Sequence, residues 1–314
     1  MTELVFRALA DESEFPLFDR ITTLPTSGVG ARSRTFAEFV GEGDYRPAWV
    51  WIAQRGAEIV ARAAFWGPPD TEHPWALDFF DFDTVETGAA LLEAAYAALV
   101  TPGYQSPIGP RPEYNLFLPA DWRERPDAKA DADARIGAAE KAGLDFHVER
   151  LNLRWEREYG LPPGSTRLMF SPVTDDQVLL DLLANIVTGS LDAGDLRELR
   201  TRTPRDVAAE TLTMIADMPG GRHRWRLAHD TSGELVGMVM PTRNTASATI
   251  GYIGVDHRHR GHGYAYDLLA EAMHIFAAEG EPSITDATDV GNAPMAAVFE
   301  KIGYRVTGRR MLFS

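Results

Sequence analysis

The sequence contains no cysteine, and this absence removes several kinds of site at once. Disulfide bonds, thiolate nucleophiles and cysteine-ligated metal centres all need the thiol that the chain lacks. Long apolar runs are missing too, and residues 1–15 do not combine a basic start with an apolar core, as a secretory signal would. We therefore expect a cytoplasmic protein without membrane-spanning segments.

Positive charge is also in short supply. The chain has 31 Lys and Arg against 46 Asp and Glu, a formal net charge of -15 at pH 7. Binding to nucleic acids or to anionic membranes draws on clustered cations. The charge balance predicts a small-molecule partner rather than a nucleic acid or a membrane, and it favours a cationic one. It does not determine the oligomeric state.

One stretch combines a strand, a glycine-containing turn and a helix. Residues 249–255 form a β-branched run, a basic turn with Gly261 and Gly263 follows, and apolar residues then repeat at helical spacing over residues 265–276. The first N–H groups of such a helix are unpaired and lie at the positive end of its dipole. Arg258 and Arg260 add charge that suits phosphate oxygens. The stretch predicts a pyrophosphate-binding turn.

The motif spacing narrows the kind of phosphate ligand. A P-loop is absent, and Tyr266 stands where a dinucleotide fingerprint needs its third glycine. The spacing Arg258-x-x-Gly261-x-Gly263 resembles the acetyl-CoA signature of the GNAT superfamily of N-acetyltransferases. GNAT proteins also carry an Asn after the fifth strand, then a helix and a K-x-G-aromatic turn. The residues in that order here are Asn292, Lys301, Gly303 and Tyr304.

The resemblance implies a transferase that moves acetyl from acetyl-CoA directly to the amine of a small molecule. It implies that the backbone of Ile253 and Val255 pairs with the pantetheine arm like an added strand, with Gly254 permitting a local splay of the strand. The residues expected at the cofactor are Ile253, Gly254, Val255, Arg258, His259, Arg260, Gly261, His262, Gly263, Tyr264, Asn292, Met295 and Phe299. An acyl-CoA-binding regulatory or sensor protein with little activity is the alternative.

Proton transfer is where the sequence departs from the family. An ammonium must lose a proton before it attacks, so a general base is expected. Strand positions that often carry Glu or His in GNAT proteins hold Thr249 and Gly251, and the usual tyrosine acid is replaced by Phe299. The remaining candidates for catalysis are Asp286, Asp289 and Tyr252. Solvated surface for the two carboxylates and packing for the tyrosine are the alternative interpretations.

Three histidines in the basic turn could suggest a metal site. His257, His259 and His262 alternate with Arg258 and Arg260, whose charge would repel a divalent cation. We therefore expect no metal at this turn, and interpret the histidines as polar residues of the phosphate loop.

The order of predicted elements occurs twice along the chain, which indicates an internal duplication. We predict an α/β fold of two tandem GNAT-like domains, residues 1–160 and 166–314, each a mixed, largely antiparallel sheet flanked by helices. Glu86 and a single glycine, Gly88, stand at the predicted first-half turn, so we expect a degenerate first domain and one acetyl-CoA per chain. Further predicted elements are a hairpin of residues 48–54 and 58–65, a helix over 131–142, a strand over 167–170 and a Gly- and Ser-rich interruption over 27–33.

Overall fold

The computed structural model describes residues 3–21, 27–30, 36, 40, 43–244 and 247–314. The chain divides into two compact units. Unit 1 comprises Met1–Glu149 together with Gly308–Ser314, and unit 2 comprises Arg150–Thr307. Residues 150–160 thus group with unit 2, and the last seven residues group with unit 1. The division into independent domains of residues 1–160 and 166–314 stays a prediction.

The helices and strands have the following bounds. The strands are β1 (Leu4–Ala8), β2 (Val50–Arg55), β3 (Glu58–Trp66), β4 (Ala76–Phe82), β5 (Glu113–Leu118), β6 (Phe146–Glu156), β7 (Met169–Pro172), β8 (Arg226–His229), β9 (Leu235–Arg243), β10 (Ala248–Val255), β11 (Ser283–Asp289) and β12 (Arg305–Phe313). The α-helices are α1 (Phe15–Phe18), α2 (Val85–Leu99), α3 (Pro126–Lys141), α4 (Asp176–Val187), α5 (Ala193–Glu198), α6 (Pro204–Ala216), α7 (Tyr264–Ala278) and α8 (Ala293–Ile302).

Unit 1 is built on a mixed sheet in the order β1-β2-β3-β4-β5. Strands β1 to β4 are antiparallel neighbours, and β4 runs parallel to β5. The end of β12, from Arg309 to Phe313, pairs antiparallel with β5. The core lies between this sheet and helices α2 and α3, and Phe313 is fully buried in it beside Leu91 and Leu116. Residues from the end of the sequence therefore complete the sheet and the core of unit 1.

Unit 2 has a second mixed sheet, with the order β6-β11-β10-β9-β8-β7. Every pair in it is antiparallel except β10 with β11. Helices α4 and α6 pack over Met238 and Met240 of β9. Helices α7 and α8 pack against β6 and β11 around the fully buried Trp155 and Phe276. Helix α7 also packs against β9 in a further apolar cluster, so the described helices cover the sheet through three clusters.

The predicted fold class, an α/β fold with mixed, largely antiparallel sheets flanked by helices, is confirmed. The predicted hairpin matches β2 and β3, but the helix expected over 131–142 begins at Pro126, where a proline at the first turn costs no hydrogen bond. The strand expected over 167–170 lies at 169–172, in register with β8. Residues 31–33 of the predicted interruption lie outside the described residues. No helix in the described ranges combines the length and the apolar character needed to cross a bilayer.

Candidate functional site

Unit 2 contains a cleft between the neighbouring strands β10 and β11. In the described part of the chain, β10 pairs with β11 at one position, Ala248 with Ile284. A bulge between Ile250 and Tyr252 then turns β10 away. The resulting cleft has a volume of about 830 Å³ and is walled by β10, β11, the end of α4 and the starts of α7 and α8. Beyond this one pair, β10 and β11 are therefore separated by the cleft toward their carboxyl ends.

The backbone of β10 presents polar groups to this cleft. The Asp256 N–H donates to the Val236 carbonyl at 2.9 Å, and hydrogen-bonded pairs recur at every second residue of an antiparallel ladder. The backbone N–H and C=O groups of Ile253 and Val255 consequently point away from β9, and both residues line the cleft. The Val255 carbonyl already accepts a bond from Arg260 Nε at 3.3 Å. The N–H and C=O of Ile253 and the N–H of Val255 are thus directed into the cleft, and their pairing with a pantetheine arm stays a prediction.

The loop over residues 256–263 leads from β10 into α7. Gly261 and Gly263 adopt φ of 85° and 76°, a left-handed conformation that side chains other than glycine rarely take. Gly263 is the N-cap of α7 and supplies no side-chain hydrogen bond, whereas Asp175, Thr203 and Asn292 cap the helices that follow them. The first N–H groups of α7 therefore point into the loop, where the helix dipole favours an anion.

The two arginines of the loop have partners within the protein. Arg258 donates to both carboxylate oxygens of the buried Asp256, at 3.0 and 2.8 Å, and this pairing lowers the Asp256 pKa to about 2. Arg260 donates to the carbonyls of Ile186 and Gly189, at the end of α4. Arg258 thus stabilises the loop, and Arg260, which also lines the cleft, ties it to α4. Contact of either guanidinium group with a phosphate stays a prediction.

The remaining residues expected at the cofactor fall into two groups. Those that line the cleft are His259, Gly261, Gly263, Tyr264, Asn292, Met295 and Phe299. His262 is not among the lining residues and stacks on the Tyr264 ring with 5.5 Å between centroids. Asn292 caps α8 by accepting the Met295 N–H at 3.4 Å.

Gly254 has a different role from the predicted one. The bulge of β10 lies at Gly251, between Ile250 and Tyr252, rather than at Gly254. A Cβ at position 254 would lie 2.4 Å from Ile186 Cγ2. Gly254 is therefore required because α4 packs directly against the strand.

The three histidines of the loop make separate contacts. His257 Nδ1 lies 3.0 Å from the Asn185 carbonyl, and His259 Nε2 lies 3.4 Å from a Glu234 carboxylate oxygen. His262 Nδ1 lies 3.1 Å from the His259 carbonyl. Across the ranges that the structure describes, no three His, Asp or Glu side chains are grouped so as to hold a metal ion.

The three candidates for proton transfer lie in different surroundings. Tyr252 and Asp286 line the cleft. Asp289 is buried, accepts the Ala193 N–H at 2.6 Å and forms an ion pair with Arg150 at 3.1 Å. These contacts fix the start of α5 and engage both carboxylate oxygens, so Asp289 has a structural position rather than that of a free base.

A further carboxylate, Asp195, was not among the candidates from sequence. It lies on α5, lines the cleft and has Oδ2 3.5 Å from the Tyr252 hydroxyl. Burial raises the pKa of Asp195 to about 6, and burial beside Asp195 raises the pKa of Tyr252 well above its usual value. The pattern Asp192-x-x-Asp195 could have indicated this helix, since Asp192 caps it through the N–H groups of Gly194 and Asp195.

Between β4 and α2 of unit 1, where every residue is described, no loop corresponds to residues 256–263. Helix α2 follows β4 after Asp83 and Thr84, and the Thr84 hydroxyl caps it at the Thr87 N–H, 3.2 Å away. The predicted glycine turn was wrong because Gly88 lies inside α2, where a Cβ would come within 2.6 Å of the Phe82 ring. Glu86 is exposed and pairs with Lys141 at 3.2 Å.

The space beside β5 in unit 1 is occupied by residues of the same unit. The Glu113 N–H donates to the Trp75 carbonyl at 3.0 Å, on the side of β5 that faces β4. Backbone groups repeat their direction at every second residue of a strand, so the backbone groups of Phe117 point to the same side. The Phe117 carbonyl accepts the Gly30 N–H at 2.8 Å, and Val29 is fully buried in the core of unit 1. The Ser27 hydroxyl donates to Asp131 at 2.7 Å. Residues 27–30 therefore cover the part of this β5 edge that lies beyond its pairing with β4.

Comparison with known proteins identifies a similar family and similar solved structures. Residues 194–304 match the Acetyltransferase (GNAT) family. No curated protein sequence matches the chain. The structure is similar to a GCN5-related N-acetyltransferase from Sphaerobacter thermophilus, with a TM-score of 0.61 and 15% identity over 99% of this chain and 94% of that one.

Two other solved structures resemble the chain over its length. One is a tandem GNAT protein from the clavulanic acid biosynthesis pathway, solved without AcCoA, with a TM-score of 0.51 and 17% identity over 99% of this chain and 98% of that one. The other is the glucosamine N-acetyltransferase region of a fungal multi-domain β-N-acetylglucosaminidase, with a TM-score of 0.54 and 11% identity over 100% of this chain and 38% of that one. The match over residues 194–304 and the similarity of these structures show that the chain has a GNAT-like fold in a tandem arrangement.

Proposed function

We propose that the protein transfers an acetyl group from acetyl-CoA to the amine of a small molecule, by direct attack of the amine on the thioester. The observation that carries the proposal is the opening between β10 and β11. It exposes the backbone of Ile253 and Val255 along a cleft that ends at the uncapped start of α7. An extended amide-containing arm can add to β10 like a strand, and a pyrophosphate can accept from the first N–H groups of α7.

The other end of the cleft suits a cationic acceptor. Asp192 and Asp195 line it together with the exposed apolar side chains of Leu191 and Met214. The carboxylates attract an ammonium group, and the apolar side chains accommodate a carbon skeleton. Arg150 lies at the same end, but it is already paired with Asp289. The cleft therefore supports an amine as the acceptor without identifying which amine.

Asp195 and Tyr252 are the groups to which we assign proton transfer. With a pKa of about 6, Asp195 is mostly ionised at neutral pH and can accept a proton from the acceptor ammonium. The amine nitrogen then forms a bond to the carbonyl carbon, the carbon–sulfur bond breaks, and the second proton of the nitrogen passes to the Tyr252 oxygen to replace the one that Tyr252 gives to the thiolate. The Tyr252 hydroxyl keeps its proton at neutral pH because its pKa is raised, so it can donate to the departing thiolate.

An acyl-CoA-binding regulatory protein is the second candidate. It is favoured by one observation: Phe299 lines the cleft at the position where GNAT proteins often carry the tyrosine acid. Such a protein would bind acetyl-CoA in the same cleft and release no thiol. The two functions share the cofactor site and differ in turnover.

The test combines calorimetry with an assay of free thiol released from acetyl-CoA over a panel of small amines. We expect binding, and amine-dependent thiol release that Asp195→Asn reduces by about 10²- to 10⁴-fold, the usual contribution of a general base. Asp192→Asn is the matched control, because Asp192 lies in the same cleft wall and lacks the Tyr252 contact. Binding without amine-dependent release over the panel would support the regulatory protein instead.

We further propose one acetyl-CoA per chain, bound in unit 2. In unit 1 the strand-to-helix connection is too short to form a phosphate loop, and residues 27–30 cover the edge of β5. Gly30 already donates to the Phe117 carbonyl. An added pantetheine arm would have to displace those residues.

A further inference from the structure

The cleft in unit 2 needs an explanation of its own, because opening a sheet between two strands leaves backbone groups without their ladder partners. A buried N–H without an acceptor is costly, so native proteins rarely leave one. Here the ladder of β10 and β11 stops after Ala248 and Ile284. Along β10, the Ile250 N–H is the next backbone donor that faces β11, and it needs another acceptor.

A side chain takes the place of the missing backbone acceptor. Asp286 Oδ1 accepts the Ile250 N–H at 2.8 Å and the Thr249 hydroxyl at 3.2 Å. Asp286 is two residues beyond Ile284 on β11, and its own backbone is held on the opposite side by pairing with Leu153 of β6. The carboxyl group thus spans the point at which the two strands separate.

This position differs from that of a general base. Oδ1 is engaged by two donors of β10, and the Tyr304 hydroxyl lies beside the carboxyl group. Burial raises the pKa of Asp286 to about 7, against the opposing effect of these hydrogen bonds. The group is held in a fixed orientation with β10, whereas Asp195 lies on another wall of the cleft beside Tyr252.

We propose that Asp286 is a positioning residue that holds β10 apart from β11 and so sets the backbone of Ile253 for the acyl-CoA arm. The bulge at Gly251 begins directly after Ile250, so the bond from Asp286 fixes the last residue before β10 changes direction. Asp286 acts through β10 and contacts no reacting atom. The cofactor part of this proposal rests on the proposed acetyl-CoA site.

The first test measures the strand itself and needs no ligand. Hydrogen–deuterium exchange of the Ile250 amide is followed in the wild type, Asp286→Asn and Asp286→Ala by mass spectrometry with residue-level fragmentation. Asn retains a carbonyl oxygen at the same place, so we expect exchange within about 3-fold of the wild type, and at least 10-fold faster exchange in the Ala variant. The Asp256 amide, which donates to the Val236 carbonyl at 2.9 Å, serves as the internal reference. Equal exchange at Ile250 in all three proteins would overturn the proposal.

The second test measures acetyl-CoA affinity by calorimetry, with KM and kcat from thiol release. We expect Asp286→Ala to raise Kd and KM at least 10-fold while kcat at saturation changes less, and Asp286→Asn to restore wild-type affinity. Asp286→Leu, which fills space but accepts no hydrogen bond, should behave like the Ala variant and covers the case in which Ala does not fold.

The outcomes distinguish the proposal from its rivals. A loss of kcat in Asp286→Asn with Kd unchanged would mean that Asp286 is a base rather than a positioning residue. A lower melting temperature in Asp286→Ala with unchanged Kd would mean a purely structural role. Absence of acetyl-CoA binding by the wild type would overturn the proposed function and the cofactor part of this inference, whereas the exchange experiment would still decide whether Asp286 holds β10.

Discussion

Gly263 offers the sharpest test of the phosphate site, because the structure separates the effect of charge from the effect of shape. Its φ of 76° disfavours any side chain, and a Cβ there would meet only Arg167 Nη2, at 3.7 Å, within 4 Å. Asn and Asp tolerate this conformation better than other residues and have nearly the same shape. Gly263→Asn and Gly263→Asp therefore share the backbone strain and differ in one negative charge.

The expected size of the charge effect follows from the position of Gly263 at the start of α7. A carboxylate about 5 Å from a pyrophosphate charge costs about 1 kcal/mol with the dielectric constant of water and about 3 kcal/mol near a protein surface. The positive charge of Arg167 lies nearby and offsets part of this repulsion. The offset is partial because Arg167 already pairs with Asp267. We expect Gly263→Asp to bind acetyl-CoA about 5- to 150-fold more weakly than Gly263→Asn, with the difference shrinking at high salt.

The assay is calorimetry at two salt concentrations, with melting temperatures to confirm that both variants fold. Gly103→Asp is the control for strain, because Gly103 has φ of 102° with no atom within 4 Å of its Cβ position and lies in unit 1. It should lose stability but leave acetyl-CoA affinity unchanged. Equal affinity in Gly263→Asp and Gly263→Asn would refute the assignment of the anion site to the start of α7.

Further outcomes can be checked independently. If Asp195 is the base, kcat/KM should rise as the pH increases through about 6 and then level off, and Asp195→Asn should remove that rise; an unchanged profile would exclude it. Calorimetry should give one acetyl-CoA per chain, so two equivalent sites would contradict the closure of unit 1. A fragment of residues 166–314 should fail to fold because it lacks the β6 residues that pair with β11 from Ser283 to Asp289, whereas a fragment of 146–307 keeps them and should show a cooperative melt. Burial raises the Asp78 pKa from 3.8 to about 7, so the folded state holds this proton more tightly than the unfolded state does. The free energy of unfolding of the wild type should therefore fall as the pH rises from 3.8 to about 7. Over that range Asp78→Asn should gain stability relative to the wild type by at most about 1.4 kcal/mol per pH unit, and a constant difference would refute this.

The sequence predicted the parts of the site that depend on local pattern. Apolar spacing located α7, and the two glycines located the left-handed turn before it, since a positive φ selects glycine. These features depend on residues close together in the chain, so a single sequence contains the information. The resemblance to GNAT proteins, rather than the local pattern, implied that Ile253 and Val255 pair with the acyl-CoA arm, and this stays a prediction.

Contacts between distant residues were not predictable in the same way. The partners of Arg260 lie at the end of α4, more than seventy residues away, and nothing in the loop sequence indicates them. Asp195 becomes a candidate because α5 brings it to Tyr252, a contact between residues 57 positions apart. The contacts of Asp289 were unpredictable for the same reason, because its partners Ala193 and Arg150 come from other elements.

The comparison of the two halves also shows a limit of pattern reading. Gly88 was aligned with Gly263 because each glycine follows a strand and precedes an apolar helical pattern. In the structure, Gly88 is needed for close packing against Phe82 inside a helix, and Gly263 is needed for its backbone conformation. One residue type thus serves two physical purposes, and spacing alone does not separate them.

The membership of Gly308–Ser314 in unit 1 has a consequence for the order in which the protein can form. These residues leave the ribosome after all of Arg150–Thr307, so the edge of β5 from Tyr114 to Leu118 waits for its partner throughout synthesis of unit 2. An unpaired strand edge with an exposed apolar face is a site for wrong pairing between chains. Slow translation of residues 308–314, or their loss, should therefore expose nascent chains to aggregation through unit 1.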